Sequence, residues 1–395
     1  MRTLALTMLT TVAILCVGCF PPRSLKERAP ILPAWTTSLG DRRIEDVIYT
    51  GDRLLVRVGY NRLVSLDAVS GRSFWDRTIP VVSRFRQGGK LHDAYFTEEV
   101  LATNGHVYFL GPDECVHILD DRIGTELGHS GPVFSLLGAT ESAVYVLDSA
   151  QHLTELTASG RVHRQTMVEG HEATRLKISG DQLILECPSC SPPLQVLDRN
   201  AQPLWNSVLP EAVSSTVGSD QLYFTTGKEK RDIVALDRST GQELWRFTIA
   251  VRSMASGAPP LLLVDQQLTD SPLYVVISDV GSQELCLLIL DRRSGQQRSK
   301  LRLPWDTSAF DGGARIAHRI LYMTQTKLHG FLESFDSGTR DSRLHAVDIG
   351  TGKELWCSAW RFEVLDTPVV SHDLIYVSTW GQYKNPSSVQ AFPMK

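Results

Sequence analysis

Apolar residues fall along this chain in short runs of four to six that stop at Asp, Gly, Pro or Ser. Such runs occupy 53–58, 107–110, 143–147, 182–186, 221–225, 273–278, 320–324 and 374–379. No long segment repeats apolar residues at helical i, i+3, i+4, i+7 spacing, so the pattern predicts strands throughout. Some ten to twenty residues after each run comes a second phrase: an apolar stretch, Asp, a short turn, Gly, then often Leu-Trp. The fullest copies run from Leu63 through Asp67 and Gly71 to Trp75, from Ile233 through Asp237 and Gly241 to Trp245, and from Leu344 through Asp348 and Gly352 to Trp356. Asp120 with Gly124 and Asp291 with Gly295 keep the offset without the Trp, Asp198 reaches Trp205 through a turn one residue shorter, and Thr157 replaces Asp before Gly160.

A given position is Gly only about 7% of the time, so five Asp residues each followed by Gly four positions on mark a true repeat. The phrase is a hairpin: Asp accepts backbone N–H bonds across the turn, and Gly takes a left-handed conformation before the next strand. First strands marked by Gly131-Pro-Val, Ala258-Pro-Pro-Leu and Thr367-Pro-Val-Val give each unit room for four strands in 40 to 57 residues. Eight four-stranded units at that period predict an all-β fold, one eight-bladed β-propeller over residues 33–395. The eighth unit ends at Lys395 without its outer strand, and Pro33-Ala-Trp35-Thr-Thr-Ser-Leu39 reads as an orphan copy of it. Pairing of the N- and C-terminal strands would then close the ring and remove an open sheet edge. Segments 83–97 and 327–343 are longer than the minimal repeat and are candidate carriers of a specific partner.

Composition adds exclusions. With 395 residues, 42% apolar and 21% charged, the chain is globular in character. A net charge of -4 leaves no basic footprint for nucleic acid. The N-terminus, a charged start and an apolar run ending at Val17-Gly18-Cys19, has the form of a translocation signal over residues 1–18. Val17-Gly18-Cys19 resembles the lipobox of bacterial lipoproteins, which implies lipidation of Cys19; Cys16 follows Leu15, too bulky for that cleavage site. The alternative is a plain secretory signal with an incidental Cys, and either way the body is exported. Residues 19–32, rich in proline, read as an extended linker that lets the ring stand off a membrane. Phe20 after Cys19 is not the Asp that retains many lipoproteins at the inner membrane, so outer-membrane sorting is expected, with the propeller facing the periplasm.

Of seven cysteines, Cys16 and Cys19 belong to the signal region, and among the five in the body Cys187 and Cys190 form the one close pair, at a predicted hairpin tip, where a local disulfide is expected ahead of redox or metal chemistry. Beyond the signal region no second CxxC and no HxxxH supplies zinc spacing. His117, His318 and His345 fall in or beside strand runs and read as packed or exposed rather than as ligands.

The phrase LDxxTGxxLW resembles the repeat of pyrroloquinoline quinone (PQQ) type eight-bladed propellers, and the resemblance spans nearly the whole mature chain. It implies that the Trp residues pack between blades. Two groups carry this repeat. Quinoprotein dehydrogenases hold PQQ over the propeller axis against a disulfide of adjacent cysteines, with Ca²⁺ and an Asp base; no two cysteines here are adjacent. The second group is the BamB-type lipoproteins of outer-membrane barrel assembly, similar in signal, acylated Cys, linker and bare ring. That resemblance implies a non-enzymatic scaffold without cofactor or metal. Its partners would be the membrane, through the lipid, and barrel-assembly subunits or unfolded outer-membrane proteins. It also points to inter-blade loops as the partner surface: Val251 and Arg252 before Ser-Met-Ala-Ser, and Asp306 and Asp311 in the following loop. A propeller binding another peptide or glycan client is the alternative, since fold alone does not fix function. No GxSxG, P-loop, HExxH or EF-hand motif supports an enzyme.

Overall fold

The structure is a computed structural model. It describes residues 30–394 apart from 60, 80–83, 88–89, 94–99, 112, 132, 134, 149–151, 169–174, 187–193, 208, 210–213, 227–231, 250–259, 266–267, 269, 280–283, 307–312, 329–339, 360–366, 372 and 380–385. The expected strands form eight four-stranded sheets, each an antiparallel meander. Blade 1 comprises Ile44–Tyr49, Arg53–Val58, Arg62–Asp67 and Ser73–Thr78. Blades 2 to 7 follow over 100–130, 135–167, 175–207, 214–248, 261–306 and 314–357. First strands of neighbouring blades lie side by side, and that of blade 8 returns to that of blade 1, so the sheets form a ring.

The ring closes as the orphan strand predicts. Blade 8 has Val369–Val370, Leu374–Thr379 and Ser387–Pro393 from the C-terminus, and its outer strand is Trp35–Gly40. Trp35 pairs with Ala391 and Ser38 with Ser388, with a register shift before Gly40. Just upstream, the Ile31 amide donates to the Cys357 carbonyl at 2.9 Å, tying the chain to blade 7 before it enters blade 8. The extra length at 83–97 holds a small hairpin, Arg84–Gln87 paired with Lys90–Asp93. That at 327–343 is flanked by a lengthened ladder in which Leu328 pairs with Arg340.

Strand side chains alternate, so each blade has two faces and buries both against its neighbours. The core therefore lies between blades. Tyr223, Ile233, Ala235 and Trp245 of blade 5, for example, pack with Leu273, Val275, Cys286 and Leu288 of blade 6.

The Asp turns have the expected chemistry. Asp237 Oδ1 accepts the Thr240 amide at 2.8 Å while its carbonyl accepts the Gly241 amide at 2.8 Å. The shorter turn after Asp198 places Ala201 at φ 57 in the glycine position. Glycine serves a second purpose, beyond the left-handed φ of +72 at Gly241: a Cβ there would meet the Trp205 ring of blade 4 at 2.4 Å. The Trp205 indole N–H donates to the Arg238 carbonyl at 3.0 Å, one residue past the Asp of the turn. Trp75 and Trp245 do the same to Asp121 and Arg292 at 2.7 and 2.8 Å. Each Trp is thus a wedge seated on the turn of the following blade. Blade 6 has Ser299 where the wedge belongs, and Gly352 on blade 7 has Leu301 as its nearest neighbour, at 3.5 Å from a would-be Cβ.

Candidate functional site

Of the site residues expected from the sequence, the structure describes only Asp306, and that by its backbone. Cys19, Cys187, Cys190, Val251, Arg252 and Asp311 lie outside the described residues. The strands flanking the cysteine pair do form the expected hairpin, with Glu186 opposite Leu194. Asp306 ends the outer strand of blade 6, where its backbone pairs with Glu284.

A different group, of which the sequence reading weighed only His345, is brought together on blade 7. His345 lies on the third strand and pairs directly across to Cys357 on the outer strand, and Glu354 pairs with Val347 beyond a bulge. The ligand atoms of His345, Glu354 and Cys357 all lie within 4.8 Å of one another. Val347, on the same side of its strand as His345, packs with Leu285, Leu287 and Leu303 of blade 6. The group therefore faces a blade contact that lacks a Trp wedge.

His345 has no exposed surface. Its Nδ1 is 2.5 Å from Glu354 Oε1, while Nε2 is 2.8 Å from Gln325 Oε1 and accepts from Arg343 Nε at 3.1 Å. Arg343 Nη1 also approaches the Cys357 sulfur, at 3.8 Å. Burial lowers the His345 pKa to about 4 against the raising effect of Glu354, so the imidazole is neutral at pH 7. An N, O, S donor set with a neutral imidazole has the chemistry of a zinc-class metal site.

These residues stand three before, six after and nine after Asp348. The same offsets from Asp120 give His117, Glu126 and His129 on blade 2. There His117 Nδ1 meets Glu126 at 3.0 Å and Nε2 meets Asp113 at 3.0 Å, with His129 3.6 Å from Glu126. Burial raises the Asp113 pKa, but the His117 contact and the Cys115 amide outweigh it and leave the carboxyl below its ordinary value. Both His117 nitrogens are thus met by carboxylates, and Glu126 is half exposed. On blade 5 the offsets give Val234, Glu243 and Arg246, an exposed ion pair at 2.7 Å.

A family model described as outer membrane protein assembly factor BamB matches residues 193–297, from the third strand of blade 4 into the outer strand of blade 6. The propeller is BamB-like. No curated protein matches the sequence. Among solved structures, BamB from Moraxella catarrhalis superposes with a TM-score of 0.59 at 11% identity, covering 91% of this chain and 99% of that one. The computationally designed Ika8 protein gives 0.61 at 13% identity over 90% and 98%. A quinohemoprotein alcohol dehydrogenase from Pseudomonas putida HK5 gives 0.58 at 11% identity over 92% and 76%. At these identities the likeness to the solved structures is one of fold. The BamB-like ring shares its architecture with a designed protein and with redox enzymes, so function rests on particular residues.

Proposed function

We propose that this chain is an exported lipoprotein scaffold that holds protein partners during outer-membrane protein assembly. The observation that carries the reading is coverage: one ring of eight blades spans 91% of this chain and 99% of the BamB chain, whereas the same ring fills 76% of the dehydrogenase. The N-terminal sequence supports it, with 1–18 as signal, Cys19 as the acylated residue and 19–32 as linker to a ring facing the periplasm. Val251, Arg252, Asp306 and Asp311 are the candidate partner contacts.

The dehydrogenase likeness favours a second reading, which the residues do not fit. The described cysteines, Cys115, Cys286 and Cys357, sit on blades 2, 6 and 7, and no two cysteines of the sequence are adjacent. The adjacent-cysteine disulfide against which those enzymes usually hold PQQ has no counterpart in the sequence.

Affinity capture of the full chain from detergent-solubilised membranes, with mass spectrometry, tests the scaffold. Co-purification of barrel-assembly subunits, weakened by Arg252→Glu, supports it. Recovery of a glycan or an unrelated peptide client instead, or dye reduction with alcohols in the presence of PQQ and Ca²⁺, overturns it.

A further inference from the structure

We propose that His345, Glu354 and Cys357 bind a divalent ion of the zinc class, a site that pins the outer strand of blade 7 where the N-terminal segment meets the ring. The proposal is independent of the scaffold reading.

The donor set selects the ion class. Imidazole nitrogen, carboxylate oxygen and thiolate sulfur suit Zn²⁺ or Co²⁺, whereas Ca²⁺ and Mg²⁺ require oxygen ligands. Three protein ligands leave the fourth position of a tetrahedral ion to water. Glu354, with 23% of its side chain exposed, gives the ion a route in from solvent, while the other two ligands lie in the blade contact.

An independent feature is the support behind the histidine. A metal-ligating histidine usually donates its second ring N–H to a fixed acceptor, which sets the tautomer. Here Nδ1 faces Glu354 and Nε2 lies 2.8 Å from Gln325 Oε1, on the strand behind. Without an ion, Arg343 donates to Nε2, so the Nδ1 proton goes to Glu354. With an ion at Nδ1, that proton moves to Nε2 and is donated to Gln325. Arg343 Nε, already 3.4 Å from the same amide oxygen, turns to it. Cys357 releases its thiol proton to solvent as the sulfur–metal bond forms, while neutral His345 and ionised Glu354 bind without losing one.

Comparison between blades separates this group from a generic polar face. At the same offsets, blade 2 offers two histidines and a glutamate beside water, with His117 already engaged by Asp113. Blade 5 has an exposed ion pair there. Only in blade 7, among these three, are the first and last of the three positions buried. Burying His345 and Cys357 beside a partly exposed Glu354 costs desolvation that an apolar pair such as Val would avoid; Arg343 offsets part of that cost, and a bound cation offsets more. The Cys357 carbonyl accepts the Ile31 amide at 2.9 Å, so an ion on its side chain would stiffen the anchor point of the N-terminal segment.

The test is Co²⁺ titration of the purified full-length protein, read by absorption. Binding at this site gives a thiolate-to-cobalt charge-transfer band with the visible bands of a tetrahedral ion, and releases about one proton per ion. Cys187→Ser/Cys190→Ser should leave the band intact. Cys357→Ser should abolish it. Gln325→Met, which leaves the three ligands in place, should weaken Co²⁺ binding by about 10- to 100-fold with an unchanged circular dichroism spectrum. A band that survives Cys357→Ser, or no thiolate band in the wild type, overturns the proposal. An affinity unmoved by Gln325→Met also overturns the assigned role of Nδ1. Mg²⁺ should neither compete nor raise the melting temperature.

Discussion

Gly241 and Gly352 occupy the same turn position at nearly the same φ, +72 and +68, yet only Gly241 supports a tryptophan. Replacing either by Ala forces a side chain into the left-handed region, at a cost of about 1–2 kcal/mol. Gly241→Ala also drives Trp205 off its seat. The expected result is a clearly larger fall in melting temperature for Gly241→Ala than for Gly352→Ala, measured by thermal denaturation; equal falls would mean that the ring contact carries no weight. The Asp residues of these turns respond to acid. Asp237 is held below its ordinary value first by the Ser239 and Thr240 hydroxyls, then by the Thr240 amide, with burial opposing. A depressed folded pKa means that the unfolded chain binds the proton more readily. The contribution is thus complete above the unfolded value near 4 and is lost as pH falls through the folded value. Asp237→Asn should therefore reduce the drop in stability between neutral and strongly acidic pH, seen in urea denaturation at both; an unchanged drop would exclude this turn as a source of acid lability.

The hairpin phrase was legible because Asp, Gly and Trp recur at fixed offsets within one turn and the strand after it, even though the Trp acts across the blade contact. The metal-class group was not. His345 and the pair Glu354 and Cys357 lie on two strands across a turn and a bulge, and neither CxxC nor HxxxH spacing describes them. Counting offsets from each repeat Asp would have exposed both this group and its blade 2 counterpart. A second repeated residue also escaped notice: Tyr108, Tyr145, Tyr223, Tyr274, Tyr322 and Tyr376 each follow an aliphatic residue in a second strand. Their hydroxyls are not equivalent. Tyr376 donates to the Ala68 carbonyl at 3.1 Å, the acceptor that the wedge indole takes in other blades, and the Trp35 Nε1 it displaces is buried without a partner among the described residues. Trp356 Nε1 is likewise unpartnered, because blade 8 has no Asp-Gly turn to receive it. The Tyr322 hydroxyl is buried with no hydrogen bond among the described residues, and burial pushes its pKa up to about 12. Tyr376→Phe leaves the Ala68 carbonyl without this donor and should cost about 1–3 kcal/mol, whereas Tyr322→Phe removes an unmet hydroxyl and should be neutral or stabilising. Chemical denaturation of both variants decides this; the reverse order would refute the assignment of the bonds.

At the scale of the whole molecule, the strand Trp35–Gly40 is both the start of the fold and its final piece. Removing residues 33–39 strips Trp35 from its place over Gly71 and exposes the edge of Ser387–Pro393. Loss of the aromatic burial alone is worth roughly 1.5–3 kcal/mol, and the bare edge invites association. The truncated protein should melt lower and self-associate in analytical ultracentrifugation; a monomer with unchanged melting temperature would rule out closure by this strand. The same arrangement fixes an order of events in time. Trp35 emerges from synthesis early, but its partner Ala391 lies in the third strand of the eighth blade. Until that last stretch arrives the blades form an open arc with two bare edges. Pairing of the ends is the most non-local contact in the protein, and such contacts form late and slowly. Completion of the ring therefore waits until the third strand of the eighth blade has been made, and the interval before it is when the chain most needs protection from its neighbours.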